Sequence, residues 1–139
     1  IDLNVTSYIP EEYIEDANQK IEVYQNIALC KNEEDIQNVI DEIIDRFGNM
    51  PEELENLIDI ARIKYLAKEQ NISKIMSKKT AVVFTFESSK VGIDINKSIK
   101  KYGNKIKFSA GIKPMITLEI GTTNERQILN DTTEFLKDL

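Results

Sequence analysis

The sequence predicts an α+β fold in which a helical first half is followed by a small, largely antiparallel sheet. Through residues 16–70 apolar side chains recur at the spacing of helix faces, whereas after Asn71 short segments alternate apolar and polar side chains with the two-residue period of strands. The links between paired strand segments are short enough for hairpins, which join antiparallel neighbours. The predicted order of elements is therefore β-ααα-ββ-α-ββ-α, a helical hairpin packed with a sheet.

Length and charge predict one domain with two dissimilar halves. The chain has 139 residues, enough for a self-sufficient core, and we expect a single domain over 1–139. Residues 1–72 contain 6 Lys+Arg against 17 Asp+Glu, whereas residues 73–113 contain 10 Lys against 2 acidic residues. A mainly helical, acidic half (1–71) thus precedes a sheet-rich half (72–139) with a basic centre. The net charge of −6 argues against an extended nucleic-acid surface.

Cysteine and histidine usage limits the available chemistry. Cys30 is the only cysteine and the chain has no histidine, so we expect neither a disulfide framework nor a Cys/His dyad, and we expect a reducing intracellular setting. No apolar run is long enough to span a membrane, and no signal-peptide pattern opens the chain. We therefore expect a soluble chain, with a monomer as the default oligomeric state. Because the chain starts at Ile1 without an initiator methionine, we also expect a piece of a longer protein.

The first half is predicted to contain one strand and three helices. Alternation over residues 1–5 predicts an opening strand, which Pro10 ends, and apolar spacing predicts a first helix over about 16–30. Asn32 is placed to cap the next helix, whose first turn is acidic. That helix carries the clearest apolar stripe of the chain, formed by Ile36, Val39, Ile40, Ile43, Ile44 and Phe47.

A hinge and a second helix complete the predicted helical hairpin. Gly48 can take the left-handed conformation that closes a helix, and Pro51 suits the first turn of the helix that follows. Residues 54–67 are apolar over well over half of the helix circumference. We therefore expect this second arm to contact partners on more than one side.

The second half is predicted to contain four strands and two helices. Ser88 and Ser89 precede a weak helix that carries Ile95, Ile99 and Tyr102. Thr122-x-x-Glu125 has the spacing of a capping box and predicts Thr122 as the N-cap of the last helix. The predicted strands cover 72–76, 80–86, 105–109 and 115–120, and the apolar face of the last helix comprises Ile128, Leu129, Thr132, Phe135, Leu136 and Leu139.

Catalytic and cofactor motifs are missing from the sequence. It contains no GxxxxGK[ST] or GxGxxG loop, and without histidine it lacks the commonest general base and metal ligand. The carboxylates are spread along solvent faces of helices rather than paired. We therefore expect that this chain is not an enzyme and binds no cofactor or metal.

One polar cluster is a candidate binding site. Glu42, Asp45 and Arg46 stand at i, i+3 and i+4, on the side of the helix opposite the apolar stripe, with Asp41 adjacent. The first interpretation is an intrahelical Glu42–Arg46 ion pair, which stabilises a helix by about 0.2–0.5 kcal/mol. The second is a docking surface whose carboxylates accept hydrogen bonds from partner arginines while Arg46 binds a partner carboxylate.

At these residues the chain resembles a known family. Ile43-Ile44-Asp45-Arg46-Phe47-Gly48, followed by Pro51 and by Leu57-Ile58-Asp59-Ile60-Ala61-Arg62, is similar to the C-terminal domain of the bacterial transcription-repair coupling factors. Ile1-Asp2-Leu3, Tyr8-Ile9-Pro10 and Tyr13-Ile14 resemble the start of that domain. The resemblance is specific over residues 1–66, whereas beyond Ile72 only the order of strands and helices matches.

The resemblance implies a regulatory domain of a larger, ATP-driven DNA translocase in the bacterial cytoplasm. In that family the C-terminal domain is held against an N-terminal UvrB-like module and masks its UvrA-binding surface until the translocase engages stalled RNA polymerase. The Glu-x-x-Asp-Arg-Phe-Gly segment supplies polar contacts to that module. This role carries over onto Glu42, Asp45 and Arg46, with Asp41 as an adjunct and with Phe47, Gly48 and Pro51 as structural residues.

Parts of the sequence are also compatible with two other classes of function. The first is a small nucleic-acid-binding module that uses the lysine-rich stretch 74–107 beside Phe84, Phe86 and Phe108. We favour a phenylalanine core and a solvated lysine rim instead, and do not expect direct nucleic-acid contact. The second is a small-molecule-sensing domain, which requires a convergent polar pocket that the sequence does not display. The lysines of the nucleic-acid alternative are Lys74, Lys78, Lys79, Lys97, Lys100, Lys101, Lys105 and Lys107.

Overall fold

A computed structural model describes residues 1–88 and 95–139, with only the backbone at Ile95. The α+β prediction is confirmed, since these residues form five α-helices and a four-stranded antiparallel sheet. Two compact units are present, one formed by Val5–Tyr65 and the other by Ile1–Asn4 with Leu66–Leu139. The elements are α1 (Ala17–Ala28), α2 (Glu33–Phe47), α3 (Glu52–Glu69), β1 (Ile72–Lys78), β2 (Ala81–Phe86), α4 (Ile95–Tyr102), a 3₁₀ turn (Gly103–Lys105), β3 (Ile106–Ser109), β4 (Met115–Glu119) and α5 (Glu125–Asp138).

The helices of the Val5–Tyr65 unit begin and end where capping residues allow. The side chain of Asp16 accepts a hydrogen bond from the Gln19 N–H at the start of α1, and Asn32 accepts one from the Asp35 N–H at the start of α2. Gly48, with a φ of 88°, closes α2. The apolar faces meet in a core formed by Ile9, Ile14, Val23, Ile27, Ile36, Ile43, Leu54 and Ile58.

An extended segment lies across the helices of this unit. Asn56 on α3 is buried and donates its amide N–H to the Thr6 carbonyl at 2.9 Å, while the Tyr8 N–H donates to the Glu53 carbonyl at 3.2 Å. The Ile9 N–H donates to the hydroxyl of Tyr24 on α1 at 2.8 Å. These bonds pair backbone groups that a segment without secondary structure would otherwise leave unsatisfied.

The sheet of the second unit has the order β1-β2-β4-β3, and every neighbouring pair is antiparallel. One face is covered by helices. The Phe84 ring of β2 packs on Phe135 of α5 at 4.8 Å between centroids, and Tyr102 of α4 meets the same Phe135 at 5.2 Å. The predicted apolar face of α5 is buried at Ile128, Leu129, Thr132, Phe135 and Leu136.

The predicted opening strand is reduced to a single parallel bridge between Asp2 and Met76. Asp2 exchanges backbone hydrogen bonds with Ile75 and Ser77, at 2.8 and 2.9 Å. The Asn4 N–H could continue this strand pairing with a backbone carbonyl. It donates instead to the Ser77 hydroxyl at 3.0 Å. Because a side chain takes this bond, the pairing stops after one bridge.

The residue that caps α5 differs from the prediction. Asn124, not Thr122, caps α5 and accepts from the Gln127 N–H at 3.0 Å, while the Thr122 hydroxyl accepts from the Asn124 N–H in a local turn. At the start of α3, Pro51 directly precedes Glu52, and its carbonyl accepts hydrogen bonds from the Leu54 and Glu55 N–H groups of the first turn. The prediction at Ser89 and the side chain of Ile95 lie outside the described residues.

Among the described residues, none of the helices combines the length and the apolar composition that a membrane span requires.

Candidate functional site

Arg46 is the centre of the polar contacts at the C-terminal end of α2. Its Nη1 lies 3.4 Å from a carboxylate oxygen of Glu42 and 3.6 Å from one of Glu22 on α1. Its guanidinium also lies 4.9 Å from the centroid of the neighbouring Phe47 ring. The intrahelical Glu42–Arg46 pair expected from the sequence is therefore present. Glu22 is an additional partner that the sequence did not reveal, because it depends on how α1 and α2 align.

Asp41 and Asp45, the other two acidic residues of the predicted cluster, differ from Glu42 in their contacts. Asp41 and Asp45 are both exposed, and no described residue forms an ion pair with either carboxylate. Ile44, between them, leaves 43% of its surface exposed although it belongs to the predicted apolar stripe. The end of α2 thus has an Arg46–Glu42 edge beside α1 and an outward surface formed by Asp41, Ile44 and Asp45.

Phe47 and Gly48 hold this end of α2 in place. The Phe47 ring lies 6.0 Å from the ring of Tyr13, and the Tyr13 hydroxyl donates to the Gly48 carbonyl at 2.6 Å. Burial raises the pKa of Tyr13, which keeps this hydroxyl a donor at neutral pH. At Gly48 a φ of 88° combined with a ψ of −163° is backbone geometry that only glycine adopts without strain. The polar end of α2 is therefore built on a fixed turn.

The groove between α1 and α2 beside Arg46 is nearly filled. Its free volume is about 10 Å³, close to that of one water molecule. It is lined by Val23, Asn26, Val39, Glu42, Ile43, Arg46 and Phe47. Such a space cannot hold a small-molecule effector, so this end of α2 suits recognition by a surface rather than by a pocket.

A second polar cluster joins the start of α2 to α3. Arg62 donates two hydrogen bonds to the Glu33 carboxylate, at 2.8 and 2.9 Å, and one to Asp59 at 2.6 Å. Glu33 also accepts from the Tyr65 hydroxyl at 2.8 Å. The Arg62 hydrogen bonds lower the pKa of Glu33 to about 2. No local sequence pattern predicts this cluster, because Asp59 and Arg62 have helical i,i+3 spacing but Glu33 is 29 residues from Arg62.

The phenylalanines of the nucleic-acid alternative do not share a surface with its strand lysines. Phe84 and Phe86 are fully buried, and only Phe108 is accessible for base stacking. Lys101 on α4 is paired with Asp138 of α5, on the helix-covered side of the sheet. Within residues 1–88 and 95–139, no group of three or more cysteine and carboxylate side chains converges as a metal site would.

A solved structure has the same fold as this chain. The chain superposes on a solved structure described as the C-terminal domain of transcription-repair coupling factor, with a TM-score of 0.89 and 22% sequence identity. The match covers 99% of this chain and 88% of the other. The chain therefore has the α+β fold of that domain.

The sequence comparisons identify the family. The TRCF domain model matches residues 3–109. The transcription-repair-coupling factor of Bacillus subtilis is 37% identical over 110 residues, which is 76% of this chain and 9% of the relative. That of Rickettsia typhi is 36% identical over 115 residues, covering 82% of this chain and 10% of the relative. The chain belongs to the transcription-repair coupling factor family, and it spans about a tenth of the length of these relatives.

Proposed function

We propose that this domain is a removable, autoinhibitory lid. It docks on the N-terminal UvrB-like module of its parent protein and masks the surface that binds UvrA until the parent, an ATP-driven DNA translocase of the bacterial cytoplasm, engages stalled RNA polymerase. Membership of the transcription-repair coupling factor family supports the setting in DNA repair coupled to transcription. In this proposal the docking residues are Glu42, Asp45 and Arg46, with Asp41 beside them.

The observation that carries this proposal is the unpaired acidic surface at the end of α2. Asp41 and Asp45 are exposed, one helical turn apart, and form no ion pair with the described residues. An exposed carboxylate gives up little hydration free energy when it accepts hydrogen bonds from a partner arginine, and Ile44, 43% exposed, supplies apolar contact beside the two charges. The surface has the mixed composition of an interface that forms and separates.

Arg46 is suited to bind a carboxylate of the partner. About 30% of its side chain is exposed, and its distances of 3.4 and 3.6 Å to Glu42 and Glu22 are long for charge-assisted hydrogen bonds. These two carboxylates orient the guanidinium without using its full donor capacity. An incoming carboxylate can therefore form shorter bonds while the side chain keeps its direction.

A tethered lid needs only modest intrinsic affinity. A covalently linked partner experiences an effective concentration of order millimolar, so even weak charged contacts keep the surface covered. Charged contacts provide orientation and specificity more than affinity, which allows release when a competing state of the parent is stabilised. The domain acts without a cofactor and as a monomer in this proposal.

The test is a binding titration between this chain and the UvrB-like module of its parent, with and without UvrA. We expect wild-type binding that UvrA competes away. The triple variant Glu42→Ala, Asp45→Ala, Arg46→Ala should bind at least about tenfold more weakly, since each lost charged contact at an interface is worth roughly 1 kcal/mol. Helical circular dichroism confirms that the variant remains folded.

The matched control changes the same number and kinds of charge on the other unit. Glu87→Ala, Glu134→Ala, Lys137→Ala alters exposed residues and leaves α2 intact. It should bind like the wild type. Equal binding by both triple variants would return Glu42, Asp45 and Arg46 to the role of an ordinary solvated helix face and overturn the assignment.

A further inference from the structure

The sheet has a second face, which the helices α4 and α5 do not cover. Strand register places Met76, Val83, Thr117 and Lys107 in one row across the four strands, because each is directly opposite the next. We call this side the outer face. Met76 is 37% exposed and Val83 and Thr117 are partly exposed, so the row is accessible to solvent along its length.

Lysines stand on both edges of the outer face. Lys74 and Lys78 lie on β1, at one edge, and Lys107 lies on β3, at the other. Lys79 follows β1 and Lys105 precedes β3, so both stand at the same end of the sheet. No described carboxylate forms an ion pair with any of these five lysines. Three strand spacings of about 4.8 Å separate the edges, which gives a floor roughly 14 Å wide.

The floor between the lysines carries little negative charge. A concave space of about 560 Å³ opens at the Lys78–Lys107 end and is lined by Lys78, Lys79, Thr80, Ala81, Asn104, Lys105, Lys107, Thr117 and Glu119. Among the described residues Glu119 is the one carboxylate in this lining, and it already accepts a hydrogen bond from the Thr80 hydroxyl at 2.9 Å. The described lining therefore has four lysines against one acid.

We propose that the outer face is a docking surface for an acidic polypeptide segment of a partner protein. Acidic side chains on the two flanks of the segment pair with the lysines of β1 and β3, and apolar side chains along its centre contact Met76, Val83 and Ala81. An α-helix, about 10–12 Å across with its side chains, fits the width of the floor. The outer face belongs to the unit formed by Ile1–Asn4 with Leu66–Leu139, whereas the residues of α2 to which the lid function is assigned belong to the Val5–Tyr65 unit.

The geometry favours a polypeptide over a nucleic acid. None of the described residues that line the concave space is aromatic, whereas single-stranded nucleic acids are bound largely by stacking of bases on aromatic rings. Phe108 follows Lys107 along β3 and so points to the opposite face, next to Ile116. The net charge of −6 repels a long polyanion, while a short acidic segment experiences mainly the nearby lysines.

Fluorescence anisotropy of this chain with a labelled peptide of Glu-Ala-Leu-Glu repeats tests the proposal, with a labelled oligothymidine titrated at the same salt concentration. We expect the peptide to bind more tightly than the oligonucleotide. Lys78→Glu with Lys107→Glu, one change on each edge, should weaken peptide binding roughly tenfold or more.

The control is Lys64→Glu with Lys68→Glu, an equal charge change at exposed positions of α3. It should alter peptide affinity less than about twofold. Equal losses in the two variants would mean that only net charge is sensed, and would overturn the proposal. Absence of peptide binding at low salt would overturn it as well. Tighter oligonucleotide binding that Lys78→Glu with Lys107→Glu abolishes would assign the face to nucleic acid instead.

Discussion

At the scale of single residues, Thr132 is an unsatisfied polar group in the core of the sheet unit. Its side chain is fully buried in α5, and its hydroxyl has no hydrogen-bond partner among the described residues. Its neighbour Thr133 instead donates its hydroxyl to the Leu129 carbonyl at 2.8 Å. A buried hydroxyl without a partner destabilises the folded state by about 1–3 kcal/mol, because its hydration is lost and not replaced.

We predict that Thr132→Val raises the free energy of unfolding by about 1 kcal/mol, since valine has nearly the same shape and needs no hydrogen bond. Urea unfolding measures the change. The control, Thr133→Val, removes a hydroxyl that is paired and should leave stability unchanged or lower it. A destabilising effect of Thr132→Val would mean that the hydroxyl does have a partner in solution.

Gly48 is a second residue where local geometry decides the outcome. An added Cβ would meet no atom within 4 Å, so the cost of a side chain there comes from the backbone conformation, with its φ of 88°, rather than from a clash. We predict that Gly48→Ala lowers the free energy of unfolding by about 1–3 kcal/mol. Thermal unfolding measures this, with Asn49→Ala as the exposed neighbour control. An unchanged melting temperature would show that the turn relaxes freely.

At the scale of elements, the Glu33–Arg62 contact joins the start of α2 to α3. The pKa of Glu33 is lowered to about 2 from its ordinary value of 4.5, so the unfolded chain binds this proton more readily than the folded chain. The stability from this group is therefore present above about pH 4.5 and is lost as pH falls toward 2. Because the Glu33 side chain is about half exposed, solvent screening reduces its contribution to about 1 kcal/mol.

We predict that Arg62→Met lowers the free energy of unfolding by about 1–2 kcal/mol at pH 7, because it leaves Glu33 and Asp59 without their shared donor. Urea unfolding of wild type and variant at several pH values gives the difference. That difference should shrink between pH 4.5 and 2, whereas Lys64→Met, at an exposed position of the same helix, should show no such pH dependence. A constant difference down to pH 2 would contradict the assigned pKa.

At the scale of the whole molecule, the uneven charge distribution governs association more than folding. The first 72 residues have a net charge of −11 and residues 73–113 have one of +8, which predicts attraction of basic and acidic partners to different parts of the chain. Steering by such charges acts over distances comparable to the Debye length, about 10 Å at 0.1 M ionic strength. Salt should therefore act mainly on the rate of encounter.

We predict that raising NaCl from about 50 to about 500 mM slows association with the UvrB-like module roughly tenfold and changes dissociation less. Stopped-flow fluorescence separates the two rates. The variant Glu42→Ala, Asp45→Ala, Arg46→Ala should show a weaker dependence of association on salt. An association rate that does not respond to salt would point to apolar contact through Ile44 as the main determinant.

Local patterns were enough to predict much of the fold. The apolar stripe of α2, its Asn32 cap and its end at Gly48 depend on residues within one or two turns, and the structure has all three. The opening strand and the Thr122 cap were predicted from equally local patterns but are wrong. Hydrogen bonds from Asn4 to Ser77 and from Gln127 to Asn124 competed successfully with the predicted ones.

The sequence by itself determined the helix faces, the strand segments and the polar composition at the end of α2, because these depend on spacing along one element. Only the tertiary structure decided that β4 lies between β2 and β3, that Arg46 meets Glu22, and that Glu33 meets Arg62. It also decided that lysines far apart in the chain stand on two edges of one face. These contacts join residues from separate elements, so they depend on helix alignment and strand order, which no local period specifies.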